Sequence, residues 1–181
     1  MTMEVLGYAA QSATDDLAPY RFERRDLRRD DVAIRILYCG VCHSDLHMAR
    51  NDWGWTFYPV VPGHEIIGRV VEVGADVSRF RVGDAVAIGC LVDSCRTCSA
   101  CEHGLEQYCE AGNTMTYGSL DRHDGRPTYG GYSERIVASE QFVVRVPEGL
   151  DLAGAAPLDP LSQTPALNST YVGIERLARE S

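Results

Sequence analysis

Apolar and polar residues alternate over Met3 to Gly7 and again over Asp31 to Tyr38, the period-two pattern of strands with one buried face. Between them, Arg21 to Asp31 carries dense charge of both signs and reads as a solvated connection. Beyond Cys39-Gly40, the mixed stretch Ser44 to Asn51 has room for a helical turn or two. His64 to Gly74 is rich in Ile and Val and bounded by glycines, and Gly83-Asp84 marks a turn before a further strand, Ala85 to Ile88. Gly130-Gly131 opens Tyr132 to Ala138, and Phe142 to Val146 reads as a last strand that stops at Pro147. Many short strands with glycine turns predict a mainly β barrel or sandwich with short helices, rather than α/β layers. From Pro157 the pattern weakens, because Pro157, Pro160 and Pro165 break any helix. Tyr171 to Glu180 reads as a short helix with Ile174, Leu177 and Ala178 on one side. The expectation is one domain over 1–158 and a divergent, poorly ordered tail over 159–181.

Composition narrows the function classes. A chain of 181 residues, 45% apolar and 24% charged, suffices for one globular core. The net charge of -9 argues against a nucleic-acid partner, whose phosphates it would repel. All 17 basic residues are arginine, and no functional reading attaches to that. The N-terminal residues show no basic start followed by an apolar core, so no secretory signal is expected. The longest apolar runs, such as Tyr58 to Val61, are too short to cross a bilayer. Seven cysteines is an odd number, and a reducing cytoplasm is the expected compartment.

Four of those cysteines, Cys95, Cys98, Cys101 and Cys109, stand on one short loop with two, two and seven residues between them. A Cys-x-x-Cys step lets two sulfurs face one ion, and four thiolates close a tetrahedral zinc site with no open position. Such a site is structural. The alternative is a pair of disulfides or plain buried thiols. A second group carries more reactive chemistry: CGVCHSDLH over Cys39 to His47, then Gly63-His64-Glu65. Cys42, His64 and Glu65 are donor types suited to zinc, but only the fold could bring them together. With an open fourth position such an ion acts as a Lewis acid on a carbonyl or alcohol, and Ser44 and His47 could pass the released proton to solvent. Cys39-x-x-Cys42 could equally be a redox or metal pair, and His43, His47 and His64 could be ordinary hydrogen-bonded histidines. His103 and His123 lie in polar loop sequence without an assigned role.

These motifs, with VPGHEIIGRVVEVGADV over Val61 to Val77 and DGRPTYGGYSERIVASEQFVVRVPEGL over Asp124 to Leu150, resemble the zinc-containing medium-chain alcohol dehydrogenases, in particular their cinnamyl-alcohol-dehydrogenase-like branch. The resemblance covers residues 1 to about 158. It implies a GroES-like barrel, a structural zinc on Cys95, Cys98, Cys101 and Cys109, and a catalytic zinc on Cys42 and His64 with Glu65 as a nearby or alternating ligand. It implies Ser44, His47 and Asp52 as the proton relay, His43 and Ser44 beside the cofactor, and Trp53, Trp55 and Met115 around the substrate. The implied reaction is the NADP-linked interconversion of primary alcohols and aldehydes, by a usually dimeric enzyme without nucleic-acid or membrane partners.

The chain departs from that pattern after Leu158. The branch continues with a cysteine that is the third catalytic ligand, whereas here Asp159-Pro160-Leu161 follows and no cysteine lies beyond Cys109. Asp159 offers an oxygen, but Pro160 occupies the matching position. No glycine-rich turn for a nicotinamide cofactor follows, and the last 23 residues could not build a βαβ unit. The expectation is the front of the enzyme with its Rossmann domain absent, as a frameshift, an early stop or a gene remnant would leave it. Such a chain would have little or no turnover alone. The alternative is a zinc-binding fragment without catalysis.

Overall fold

The computed structural model describes residues 3–156 together with the backbone of Thr170–Gly173. Strand β1 (Met3–Ala9) turns back antiparallel into β2 (Ala18–Arg24), pairing Met3 with Arg24 and Ala9 with Ala18. The longest strand, β3 (Asp31–Val41), organises the main sheet. One edge of β3 carries β4 (Ile66–Val73), which leads on to β5 (Ala85–Ile88) and β9 (Val144–Arg145). The other edge is shared between β8 (Arg135–Ser139), on the half from Asp31 to Arg35, and β10 (Thr170–Gly173), on the half from Tyr38 to Val41. A separate pair, β6 (Leu91–Asp93) and β7 (Thr114–Met115), brackets the four-cysteine loop. Three short α-helices, α1 (His43–Arg50), α2 (Ser99–Glu102) and α3 (Leu152–Ala155), and two 3-10 turns, Glu106–Tyr108 and Glu140–Phe142, complete the described residues.

The core explains the order. Val32, Ile34 and Ile36 of β3 face Ile66 and Val70 of β4, Val86 and Ile88 of β5, and Ile136 and Ala138 of β8, all buried in one cluster. Burying such β-branched side chains stabilises by about 1.5–3 kcal/mol each, and it makes the register of β3 hard to slip. The mainly β expectation therefore holds, and none of the helices described is long and apolar enough to span a membrane.

Two sequence expectations fail. Arg21 to Asp31 is not a solvated connection: its first residues belong to β2, Arg24 is 7% exposed and Asp31 is 1% exposed. The alternation Phe22-in, Glu23-out, Arg24-in is that of a strand, concealed because an inward position is an arginine. Nor is Tyr171 to Gly173 helical. It pairs as a strand with Gly40 to Tyr38, where β3 has an unused edge, and a ladder satisfies more backbone groups than an isolated helical turn would. The remainder of that predicted helix, Asp159-Pro160 and the expected domain end at Leu158 lie outside the described residues.

Candidate functional site

β3 runs directly into the first cluster. Val41 ends the strand and Cys42, still extended, is the N-cap of α1. The third residue of that helix, Asp45, folds its carboxylate back onto the Cys42 amide at 2.9 Å, which satisfies a helix-terminal donor as a capping box does. The same carboxylate, 2% exposed, accepts from the Gly63 amide at 2.9 Å and the Tyr132 hydroxyl at 3.0 Å, and its Oδ1 lies 3.2 Å from His64 Nδ1. Cys42 and His64 are some twenty residues apart in sequence, and Asp45 is what ties them together. Its contact with Nδ1 leaves His64 Nε2 as the nitrogen available to a ligand, the carboxylate–histidine pairing that orients metal-bound imidazoles. Glu65 is buried beneath β3: a Cβ on Gly40 would stand 2.0 Å from its Oε2, so only glycine fits there. One donor atom each from Cys42, His64 and Glu65 falls within 4.8 Å of the others.

Charge in this cluster is balanced by a proton. Burial opposes the charge on Asp45, yet His64, Tyr117 and the Cys42 amide hold its carboxyl below the usual range. The hydrogen bond with His64 likewise holds the Cys42 thiol below its ordinary value, with Ser44 assisting. Burial works against protonation of His64, but Asp45 and Cys42 together push it up to about 11. Asp45 and Cys42 thus favour the protonated form of His64 that lies between them. A divalent metal could take the place of that proton, since thiolate, imidazole and carboxylate are all donor types that zinc accepts. The residues present fit that ion.

The remaining site residues divide. Ser44 Oγ donates to Cys42 Sγ at 3.2 Å. His47 Nδ1 lies 2.7 Å from Asp52 Oδ2, and both side chains are partly exposed. No hydrogen bond joins Ser44 to His47 among the described residues. The His47 ring centroid lies 5.3 Å from that of His43 and 5.4 Å from that of Trp53. Trp53 stacks on Trp55 at 5.8 Å, both about half exposed, whereas Met115 sits on β7 opposite Leu91. Cys39 is a buried core residue of β3 and is not in the donor group of Cys42, so Cys39 and Cys42 do not form a metal pair. Sequence reasoning missed Asp45, Tyr117 and Tyr132. In sequence Asp45 reads only as an acid in a first helical turn, because Cys is not a usual N-cap residue; the tyrosines reach the site only through tertiary packing.

The second cluster closes on itself. Sulfurs of Cys95, Cys98, Cys101 and Cys109 lie within 4.8 Å of one another, and all seven cysteines of the chain are free thiols. Backbone amides point at these sulfurs, Cys95 N to Cys109 Sγ and Glu110 N to Cys98 Sγ, both at 3.4 Å. The Thr97 backbone amide, foremost, draws the Cys95 thiol down to about 6. Cys101, with Ser94 opposing, is pushed up to about 11 by burial and by Cys98 and Cys109. The cluster thus favours a thiolate at Cys95 and disfavours one at Cys101, a conflict that a dication held by the sulfurs would remove. Arg96, inside the loop, pairs with Asp30 and lies 3.7 Å from Asp93, tying this lobe to the barrel. His123 Nε2 meets Asp93 at 3.0 Å, a structural contact. A cavity of about 350 Å³ between Phe22, Arg24, Asp121 and Tyr129 contains none of the candidate ligands.

Comparison with known proteins identifies the family. Residues 28–148 match the family of the alcohol dehydrogenase GroES-like domain. The chain is 49% identical over 170 residues to a probable mannitol dehydrogenase of Fragaria ananassa, covering 94% of this chain and 47% of that protein. It is 53% identical over 154 residues to the NADP-dependent alcohol dehydrogenase C of Mycobacterium bovis, covering 85% and 44%. Among solved structures, a cinnamyl alcohol dehydrogenase of Sorghum bicolor superposes with a TM-score of 0.84 at 49% identity, over 86% of this chain and 44% of that one. The CAD of Helicobacter pylori complexed with NADP(H) gives 0.85 at 42% identity, over 87% and 46%. The chain spans less than half the length of these relatives. It belongs to the medium-chain alcohol dehydrogenases, in their cinnamyl-alcohol-dehydrogenase-like branch, and residues 28–148 are its GroES-like domain.

Proposed function

We propose that this chain is the zinc-binding, substrate-side part of an NADP-linked dehydrogenase that interconverts primary alcohols and aldehydes in the cytoplasm. The observation that carries the reading is the gathering of Cys42, His64 and Glu65 around Asp45, beside a separate closed cluster of four thiols. Cys95, Cys98, Cys101 and Cys109 hold a structural zinc; Cys42, His64 and Glu65 hold a second one with an open position. When bound there, zinc supplies Lewis-acid polarisation of the alcohol or carbonyl oxygen. Asp45 fixes the His64 ring, and Ser44 places a hydroxyl beside Cys42. His47 gives its Nδ1 to Asp52, which leaves Nε2 to take up the alcohol proton and release it to solvent. Trp53 and Trp55 offer stacked rings next to His47 for a substrate with a flat, apolar body. The relatives that carry this chemistry are about twice as long, so hydride transfer is assigned to a cofactor-binding part outside these residues, and the chain alone has little or no turnover. The second reading, a zinc-binding module without catalysis, predicts the same metal content. Aldehyde reduction with NADPH separates the two when the chain is supplied with a relative's cofactor domain: turnover that disappears with His47→Gln supports the enzyme, and none at all supports the module.

A further inference from the structure

Arg24 is 7% exposed and has no carboxylate partner among the described residues. Burial holds its pKa below the ordinary arginine value, and a guanidinium in such a place is costly unless its donors are used. They are used on one turn. Nε donates to Arg135 O at 2.9 Å, Nη2 to Gly130 O and Ser133 Oγ at 2.8 Å each, and Nη1 to Tyr129 O. Arg24 therefore gathers residues 129–135 by their carbonyl side. The amide side of the same turn clamps the segment before His64: Gly130 N to Val61 O at 2.7 Å, Gly131 N to Gly63 O at 2.8 Å and Tyr132 N to Pro62 O at 3.0 Å. The fit is too close for side chains, since a Cβ on Gly130 would stand 2.3 Å from Pro62 O. From this turn the Tyr132 hydroxyl reaches Asp45, which in turn holds the Cys42 and Gly63 amides and the His64 ring.

We infer that Arg24 and Tyr132 are positioning residues for the Cys42–His64–Glu65 site, Arg24 by pinning the 129–133 turn and Tyr132 by carrying that restraint to Asp45. The inference rests on reading that cluster as a metal site. An apolar residue would fill the same space beside Phe22 more cheaply than a buried guanidinium, but it could not hold three carbonyls in register. Such supports outside the ligand sphere typically change metal affinity by about 10–100-fold when removed.

The test compares Arg24→Gln and Tyr132→Phe with the unaltered chain by two measurements. In the first, cobalt(II) is titrated in, and the intense sulfur-to-cobalt absorption of the four-thiolate site is resolved from the weaker absorption of the one-thiolate site. Both variants should keep the four-thiolate affinity and lose tenfold or more at the other site. In the second, amide exchange is followed on the metal-free protein, where the Cys42 and Gly63 amides should exchange at least tenfold faster in both variants and the Cys95 amide should not change. Wild-type rates at Cys42 and Gly63 in both variants would overturn the inference. If Arg24→Gln does not fold, Tyr132→Phe decides by the same criterion, because it removes one hydroxyl and little volume. An unaltered chain that takes up only the four-thiolate cobalt would instead sink the metal reading, and the exchange rates would still decide the positioning roles.

Discussion

Replacing Asp45 by asparagine tests the frame of the site, because the change keeps the shape and removes the charge. Oδ1 faces the Gly63 amide at 2.9 Å and His64 Nδ1 at 3.2 Å; Oδ2 faces the Cys42 amide at 2.9 Å and the Tyr132 hydroxyl at 3.0 Å. An amide can keep its oxygen toward only one of these pairs. With the oxygen toward Gly63, the new NH2 group opposes the Cys42 N–H, while Tyr132 can rotate to accept. One buried donor left unsatisfied costs about 1–3 kcal/mol. Loss of the carboxylate beside His64 adds to this, although the imidazole escapes most of that penalty by losing its proton. A total of about 2–4 kcal/mol is a large part of the roughly 5–15 kcal/mol of a typical domain, and it should lower the urea midpoint of the metal-free protein by about 1–2 M. The pH dependence gives a second reading. His64 is raised to about 11 in the folded state, against an unfolded value of about 6.5. Its contribution is therefore complete below about pH 6.5 and lost as the pH rises toward 11. The deficit of Asp45→Asn should accordingly be larger at pH 6 than at pH 10. A variant within about 0.5 kcal/mol of the unaltered chain at pH 6 would refute the reasoning.

Three further outcomes follow from the same geometry. Gly40→Ala would set a methyl 2.0 Å from Glu65 Oε2 and 2.9 Å from Glu65 Cβ; a thermal melt should show a loss of about 1–3 kcal/mol, together with weaker metal uptake at the Cys42 site. Cys98→Ser should lower the melting temperature of the zinc-loaded protein, and a chelator should then produce no further drop from that lobe; an unchanged melting temperature would argue against a structural zinc. Asp121 is held below the usual carboxylate range, against burial, chiefly by its hydrogen bond with Arg28. Its stabilisation is present above about pH 4 and lost as the pH falls through the lower folded value, so Asp121→Asn should be about 1–3 kcal/mol less stable at pH 7 and show a shallower acid limb in a pH-dependent melt.

Much of the fold was legible because its strands obey simple periodicity. Ala85 to Ile88 was readable to the residue, flanked by a glycine turn, and β3 declared itself through alternating Val32, Ile34 and Ile36. β2 escaped because the inward position after Phe22 is Arg24, whose burial depends on carbonyls more than a hundred residues away. Thr170–Gly173 escaped because its local pattern is weak, and only the open edge of β3 makes it a strand. The four-thiol lobe was legible from spacing alone, since its cysteines are local in sequence. The second cluster was legible as donor types but not as an arrangement. What joins Cys42 to His64 is Asp45, which in sequence reads as an ordinary acid in a first helical turn, and Tyr132, which reads as the beginning of a strand.

The zinc content of the full chain, measured by elemental analysis after purification in zinc-containing buffer and desalting, tests the two metal sites most directly. Two zinc ions per chain are expected, one lost in His64→Ala and the other in Cys98→Ser. One ion per chain, unaffected by His64→Ala, would contradict the reading of Cys42, His64 and Glu65 as a metal site.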